Sequence, residues 1–260
     1  MALLDPAHAT LRLSRDELAA LLLVAADPSS PSLRHTGMAA AAGALAEAGA
    51  VVAGRPAPSV AVLAGVVARP QLRLVVEIER GGAVVGNGAW ATPDGAVVGR
   101  SVGADDVELT LSDPVSLPFA VAALVGLGRR PACPATGPVV TTVADLDEIM
   151  ASVAGGGAAR AARHARCRGH PAAAAVLDLA AHRTHSWRAW SSWMDGRGAV
   201  VEAGLTVVDG GQRGLWRCVA GSDGEPGPGT ELTLTPATPA EVWQALLGLL
   251  PWSGKDPARP

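Results

Sequence analysis

Apolar and polar positions along this chain follow two periods, and the switch from one to the other happens twice. In the first half, Leu18, Leu21, Leu22 and Ala25 recur every three or four residues, the spacing of one helix face. Ser14 stands three residues before Glu17, a capping box, so the pattern predicts a helix from Ser14 to Ala26. Further helices are predicted over 33–48 and 59–68. The period then drops to two. Runs at 72–79, 83–91, 96–102 and 107–111 predict four strands. Asp-Gly and Gly-Gly pairs between runs mark hairpin turns, because glycine supplies the positive φ that tight turns need. The strands therefore read as an antiparallel meander, closed by a last helix.

The second half reads the same way. Thr142 and Asp145 make a looser capping box before the stripe Leu146, Ile149, Met150 and Val153. The segment 155–169 is rich in glycine and arginine and reads as a partly ordered loop where the second helix would fall. A helix over 172–181 leads to strands at 187–194, 199–208, 214–220 and 230–235. Thr238 caps the closing helix, with Pro239 at its first position and Glu241 completing a capping box.

Short identities recur in fixed order. Gly82-Ala-Val-Val85 returns as Gly198-Ala-Val-Val201, Gly88 as Gly204, and Asp94-Gly95 as Asp209-Gly210. Glu108-Leu-Thr-Leu111 returns as Glu231-Leu-Thr-Leu234, and Ala122 to Leu127 resembles Gln244 to Leu249. Such order predicts a duplication, with copies at 1–137 and 138–260. The expected fold class is α+β: two repeats related by a pseudo-twofold axis, a central antiparallel β-sheet flanked by helical bundles, in one compact body.

Composition narrows the function. With 49% hydrophobic residues the chain is not generally disordered, and a net charge of −3 calls for neither nucleic acid nor an anionic membrane. The first residues, Met-Ala-Leu-Leu-Asp-Pro, do not form a signal peptide, and no apolar run reaches the ~20 residues of a membrane span. Three irregularly spaced cysteines, Cys133, Cys167 and Cys218, argue against a disulfide framework and for a reducing compartment. The expectation is a soluble, cytoplasmic protein.

Catalytic patterns fail on context. Gly99-Arg-Ser101-Val-Gly103 matches a nucleophile elbow, yet a predicted strand follows where that motif needs a helix. His164, Cys167 and His170 have metal-like spacing, with His182 and His185 beyond, but arginines flank them and the ligand set is incomplete. Asp105 and Asp106 read as a turn rather than paired catalytic carboxylates. No phosphate-binding loop is present. The chain reads as a non-enzyme with no cofactor and no metal.

What remains is a surface led by tryptophan. Trp187, Trp190, Trp193, Trp216 and Trp243 fall in the second half before Pro251, against Trp90 alone in the first. On a strand, Trp187 and Trp193 share one face and Trp190 takes the other, so one side is expected to present indole to a partner. The candidate partner-binding residues are Trp187, Trp190, Trp193 and Trp216, with neighbouring Arg188 and Arg217.

In layout, from the capped helix at Ser14 through Gly82-Ala-Val-Val85 to the ending Glu231-Leu-Thr-Leu234 and Pro239 to Leu250, the chain resembles the EspG family of type VII secretion proteins. The likeness spans about residues 10 to 251. It implies a quasi-twofold α+β fold and a cytosolic chaperone that shields the apolar helical tip of secreted PE–PPE heterodimers, or of WXG-like partners. The bound tip would sit against the sheet and the C-terminal helical part. A scaffold that self-associates through sheet edges, or as a homodimer, stays open as an alternative, as does a serine hydrolase using Ser101.

Overall fold

A computed structural model of the chain describes residues 2–5, 10–133, 137–154, 173–221 and 227–251. The chain divides into two compact units. One comprises Met1–Val76, Gly86–Leu124 and Ser191–Glu202; the other comprises Glu77–Val85, Val125–Trp190 and Ala203–Pro260.

The first unit opens with β1 (Leu3–Asp5) paired antiparallel to β2 (Thr10–Ser14). Leu11 and Leu13 of β2 are buried while Arg12 is exposed, so the strand has one wet face. Ser14 then caps α1 (Arg15–Ala26). Its hydroxyl accepts the Glu17 N–H at 3.2 Å, and the Glu17 carboxylate accepts the N–H of Ser14 at 2.8 Å and of Ala2 at 3.1 Å. The capping box thus also fastens the chain's first residues to the helix.

Helix α2 (Thr36–Glu47) packs on α1, and the short hairpin β3 (Val51–Val52) and β4 (Arg55–Pro56) leads into α3 (Pro58–Ala68). Proline at the first turn of α3 costs nothing, since that N–H has no helical partner. The core beneath these helices joins Leu11 and Leu13, Leu21 and Val24 of α1, Leu45 of α2, and Val60, Leu63 and Val67 of α3. The predicted meander follows as β5 (Leu72–Arg80), β6 (Ala83–Thr92), β7 (Gly95–Val102) and β8 (Asp106–Ser112), and α4 (Leu117–Leu124) comes after it.

Two strand glycines in this meander have a packing purpose. Gly88 of β6 pairs with Gly99 of β7, and the Trp90 indole lies across both. A Cβ added at either glycine would come within 2.8 Å of the indole. The glycines are hollows that the ring fills, which offsets the usual cost of glycine in a strand.

The second unit holds β9 (Val139–Thr142), α5 (Val143–Ala154), α6 (Ala173–His182), the later parts of the meander, and α7 (Pro239–Leu247). Its meander strands are β10 (His185–Met194), β11 (Val200–Asp209), β12 (Leu215–Ala220) and β13 (Glu231–Ala237). A core of Val139, Val176, Leu179, Val208, Trp216 and Leu234 lies between these strands and α5–α6. Thr238 and Glu241 close the expected capping box, with Glu241 N–H on the Thr238 hydroxyl at 3.2 Å and Thr238 N–H on the Glu241 carboxylate at 2.7 Å. Thr142 caps α5 through the Asp145 N–H at 3.1 Å.

Eleven strands form one sheet in the order β1-β2-β8-β7-β6-β5-β10-β11-β12-β13-β9. With seven α-helices among the described residues, the fold is α+β on a large antiparallel sheet. Element boundaries follow the periodicity closely. The unpredicted strands are β1, the short β3–β4 hairpin, and β2 and β9, the last two each directly before a capped helix; β2 pairs with β8 and β9 with β13, both antiparallel. The loop expected at 155–169 lies outside the described residues.

The glycine hollows give a direct test. Gly99→Ala should cost about 1–3 kcal/mol by overpacking the indole, measured by urea unfolding. In a Trp90→Ala background the same change should cost much less, so the two substitutions should be strongly non-additive.

Candidate partner-binding site

Strand β10 carries the tryptophan cluster, and alternation sorts it. His185, Trp187, Ala189 and Ser191 are buried, whereas Arg188, Trp190 and Met194 are exposed. A polar network pins this choice at the strand's start. Asp209, buried at the end of β11, accepts Arg130 Nε at 2.9 Å and Nη2 at 2.6 Å on Oδ2, and the Gly211 N–H at 2.8 Å on Oδ1. His185 Nδ1 lies 3.8 Å from the same carboxylate and 3.0 Å from the Thr184 hydroxyl. Its Nε2 meets the Val125 carbonyl at 2.9 Å; a carbonyl can only accept, so the proton sits on Nε2. Burial alone would raise the Asp209 pKa, but hydrogen bonds from Arg130 and the Gly211 N–H outweigh it and hold the carboxyl below 3.8.

This network fixes the sides of the sheet. Asp209 and His185 share one side; Val208, one residue earlier, pairs with Trp216 on the other, under Val176 and Leu179 of α6. Arg188 and Trp190 therefore look to the side that α5 and α6 partly cover, and Trp187, Trp193 and Arg217 look to the opposite one. Trp187 and Trp216 are core side chains, only 3% and 4% exposed, and offer no indole surface. Trp193 is partly buried. Arg217 lines a shallow groove of about 450 Å³ with Ala240, Glu241, Gln244, Ala245 and Gly248 of α7, on the other side from Trp190. Of the six candidates, Trp190, 40% exposed, and Arg188 stand together on open surface.

Around Trp190 the surface is flat and ordered by charge. Gly204 and Thr206 of β11 are exposed on the Val208 side, and a Cβ at Gly204 would meet only the Ala189 carbonyl, at 4.0 Å. The Arg188 guanidinium sits 5.5 Å from the Trp190 ring centre and bonds Glu77 Oε2 through Nε and Nη2. Alongside, Glu79 accepts Arg183 Nη1 and the Ser186 hydroxyl, each at 3.0 Å. Leu146, Ile149 and Met150 of α5 pack on the nearby core while remaining only partly buried. The Glu77–Arg188 and Glu79–Arg183 pairs escaped the sequence reading, although Glu77 and Glu79 sit two apart on one strand face and signal it.

Ser101 lies in strand β7, its hydroxyl donated to the Gly86 carbonyl and its N–H to Asn87 Oδ1 at 3.0 Å, and β8 follows instead of a helix. Thr184, His185 and Asp209 sit together but are miswired for a triad: hydroxyl and carboxylate both face Nδ1, and Nε2 is tied to a carbonyl. His182 Nδ1 lies 2.8 Å from the Asp178 carbonyl; His164, Cys167 and His170 lie outside the described residues. Cys133 and Cys218 are free thiols, and burial pushes Cys218 up to about 12, where it is inert at neutral pH.

Because the Asp209 pKa is lower folded than unfolded, its network stabilises the protein above the ordinary carboxylate value and loses that contribution as pH falls through the folded value. Asp209→Asn should cost about 2–4 kcal/mol at pH 7. Denaturation across pH should find this deficit shrinking below about pH 4.

No curated protein sequence matches the chain. Among solved structures, the Mycobacterium tuberculosis type VII secretion system chaperone EspG5, solved in complex with a PE25–PPE41 dimer, superposes with a TM-score of 0.55 at 22% identity. That match covers 94% of this chain and 97% of EspG5 and establishes a shared fold. The EspG family profile matches residues 9–251, nearly the whole described sequence, and the chain therefore belongs to the EspG family.

Proposed function

We propose that this protein is a cytosolic type VII secretion chaperone. Its client is a secreted helical pair of the PE–PPE kind, and its task is to cover the apolar tip of that pair. The observation that carries the reading is Trp190: an indole 40% exposed on the same strand as the buried Trp187. A flat glycine–threonine surface lies beside it, and α5 borders that side of the sheet with half-covered leucine, isoleucine and methionine. Such a face can remove a partner's apolar area from water at about 25 cal/mol per Å². Family membership supports the reading, as does the related EspG5 having been solved with a PE25–PPE41 dimer.

The role asks for no chemistry, which agrees with a Ser101 hydroxyl spent on backbone and a histidine–aspartate pair locked in the core. Among the described residues no helix is long and apolar enough to cross a membrane.

Co-expression with a PE–PPE pair followed by size-exclusion chromatography should yield a stable complex. Trp190→Ala should weaken that complex about 10- to 100-fold while shifting the melting temperature by less than about 2 °C. Trp187→Ala should do the opposite, costing about 3–5 kcal/mol of stability as a core truncation. A Trp190→Ala variant that binds normally would remove this face from the reading.

A further inference from the structure

We infer that Arg188 selects the partner: the Trp190 face admits a helix end that sets an oxygen acceptor beside an apolar side chain. The inference rests on the chaperone reading above and adds the chemistry by which clients are accepted or refused.

Both β5 acids beside Arg188 already have partners. Glu79 accepts from Arg183 and Ser186, and Glu77 accepts from Arg188. The two arginines differ in what they have left. Arg183 is largely covered, its side chain 13% exposed, whereas that of Arg188 is 63% exposed. A guanidinium carries five N–H donors and no acceptor. Nε and Nη2 of Arg188 converge on a single oxygen, Glu77 Oε2, so the outer edge of the fork faces solvent. What Arg188 itself has left to offer beside Trp190 is therefore donor-only.

Position makes that capacity selective. The guanidinium lies 5.5 Å from the indole centre, so a side chain landing on the free part of Trp190 brings its own backbone within reach of Arg188. A purely apolar partner would strip water from a cation and return no acceptor, and it is refused. A partner carrying an acceptor at that point gains a charge-assisted hydrogen bond as well as the indole contact. The tip of a helical hairpin supplies this chemistry, because the last four carbonyls of a helix lack internal partners and sit at the negative end of its dipole. A carboxylate side chain at the tip supplies it too.

The test measures dissociation constants of the full-length chain with the PE25–PPE41 dimer, and with the PE–PPE pair encoded nearest its gene. Wild type is compared with Arg188→Gln, Arg188→Ala and Trp190→Ala, after thermal melts confirm that all fold. Selection by Arg188 predicts that Gln and Ala each weaken binding at least about tenfold. If Arg188 merely covers the indole, Arg188→Ala binds as tightly as wild type or tighter; that result overturns this inference and leaves the chaperone reading intact, provided Trp190→Ala is weak. No complex of wild type with either pair overturns both. Raising salt from about 0.05 to 0.5 M separates the two supporting sources. The advantage of wild type over Arg188→Gln shrinks for a carboxylate and persists for a helix-end carbonyl.

Discussion

The structure of the second unit turns on one buried polar junction, where Asp209 takes Arg130 and lies beside His185. A β-strand places successive side chains on opposite sides, and a slip of one residue would exchange them all. Strand β10 contains three tryptophans at odd–even–odd spacing, so register decides which indoles become core and which becomes surface. Apolar burial alone would discriminate weakly, since either choice buries an aromatic ring. A charged carboxylate held by a guanidinium on the interior side discriminates strongly, because misplacing it would leave both charges unmet. The open indole is thus a consequence of an ion pair at the end of the neighbouring strand, against which His185 of β10 is set.

Much of this was legible in the sequence. Period and capping located α1 and α7 with their box residues, and the meanders fell where alternation put them. Alternation also separated Trp190 from Trp187 and Trp193. The misses have physical causes. Strands β2 and β9 are four or five residues long and run straight into a helix cap, so the helical stripe masks their brief alternation, although Leu11 and Leu13 carry it. Trp216 and Arg217 could not be assigned because their exposure depends on what α6 and α7 cover, a tertiary outcome. Asp209 entered the sequence reading as half of a turn-forming Asp-Gly pair, and its partner Arg130 lies 79 residues away.

The glycines in matching sequence positions show how one strand design serves two ends. Gly88 opposes Gly99, and the pair is roofed by Trp90, which converts a hollow into packed interior. Gly204 meets nothing but a backbone carbonyl at 4.0 Å, and Thr206 stands two residues on, where Trp90 stands relative to Gly88. The same absence of a side chain is filled in one case and left level in the other. An indole flanks the filled hollow and a threonine flanks the open one.

The Glu77–Arg188 pair has a further consequence for the free chain. An indole on a flat sheet invites copies of the chain to adhere to one another, which is how exposed β-surfaces begin to aggregate. Laying a cation over the ring and an acid beneath that cation keeps the neighbourhood hydrated, and alike copies meet with matching charges in each other's way. The charges that oppose such adhesion are then carried by the strand that bears the indole and by its neighbour.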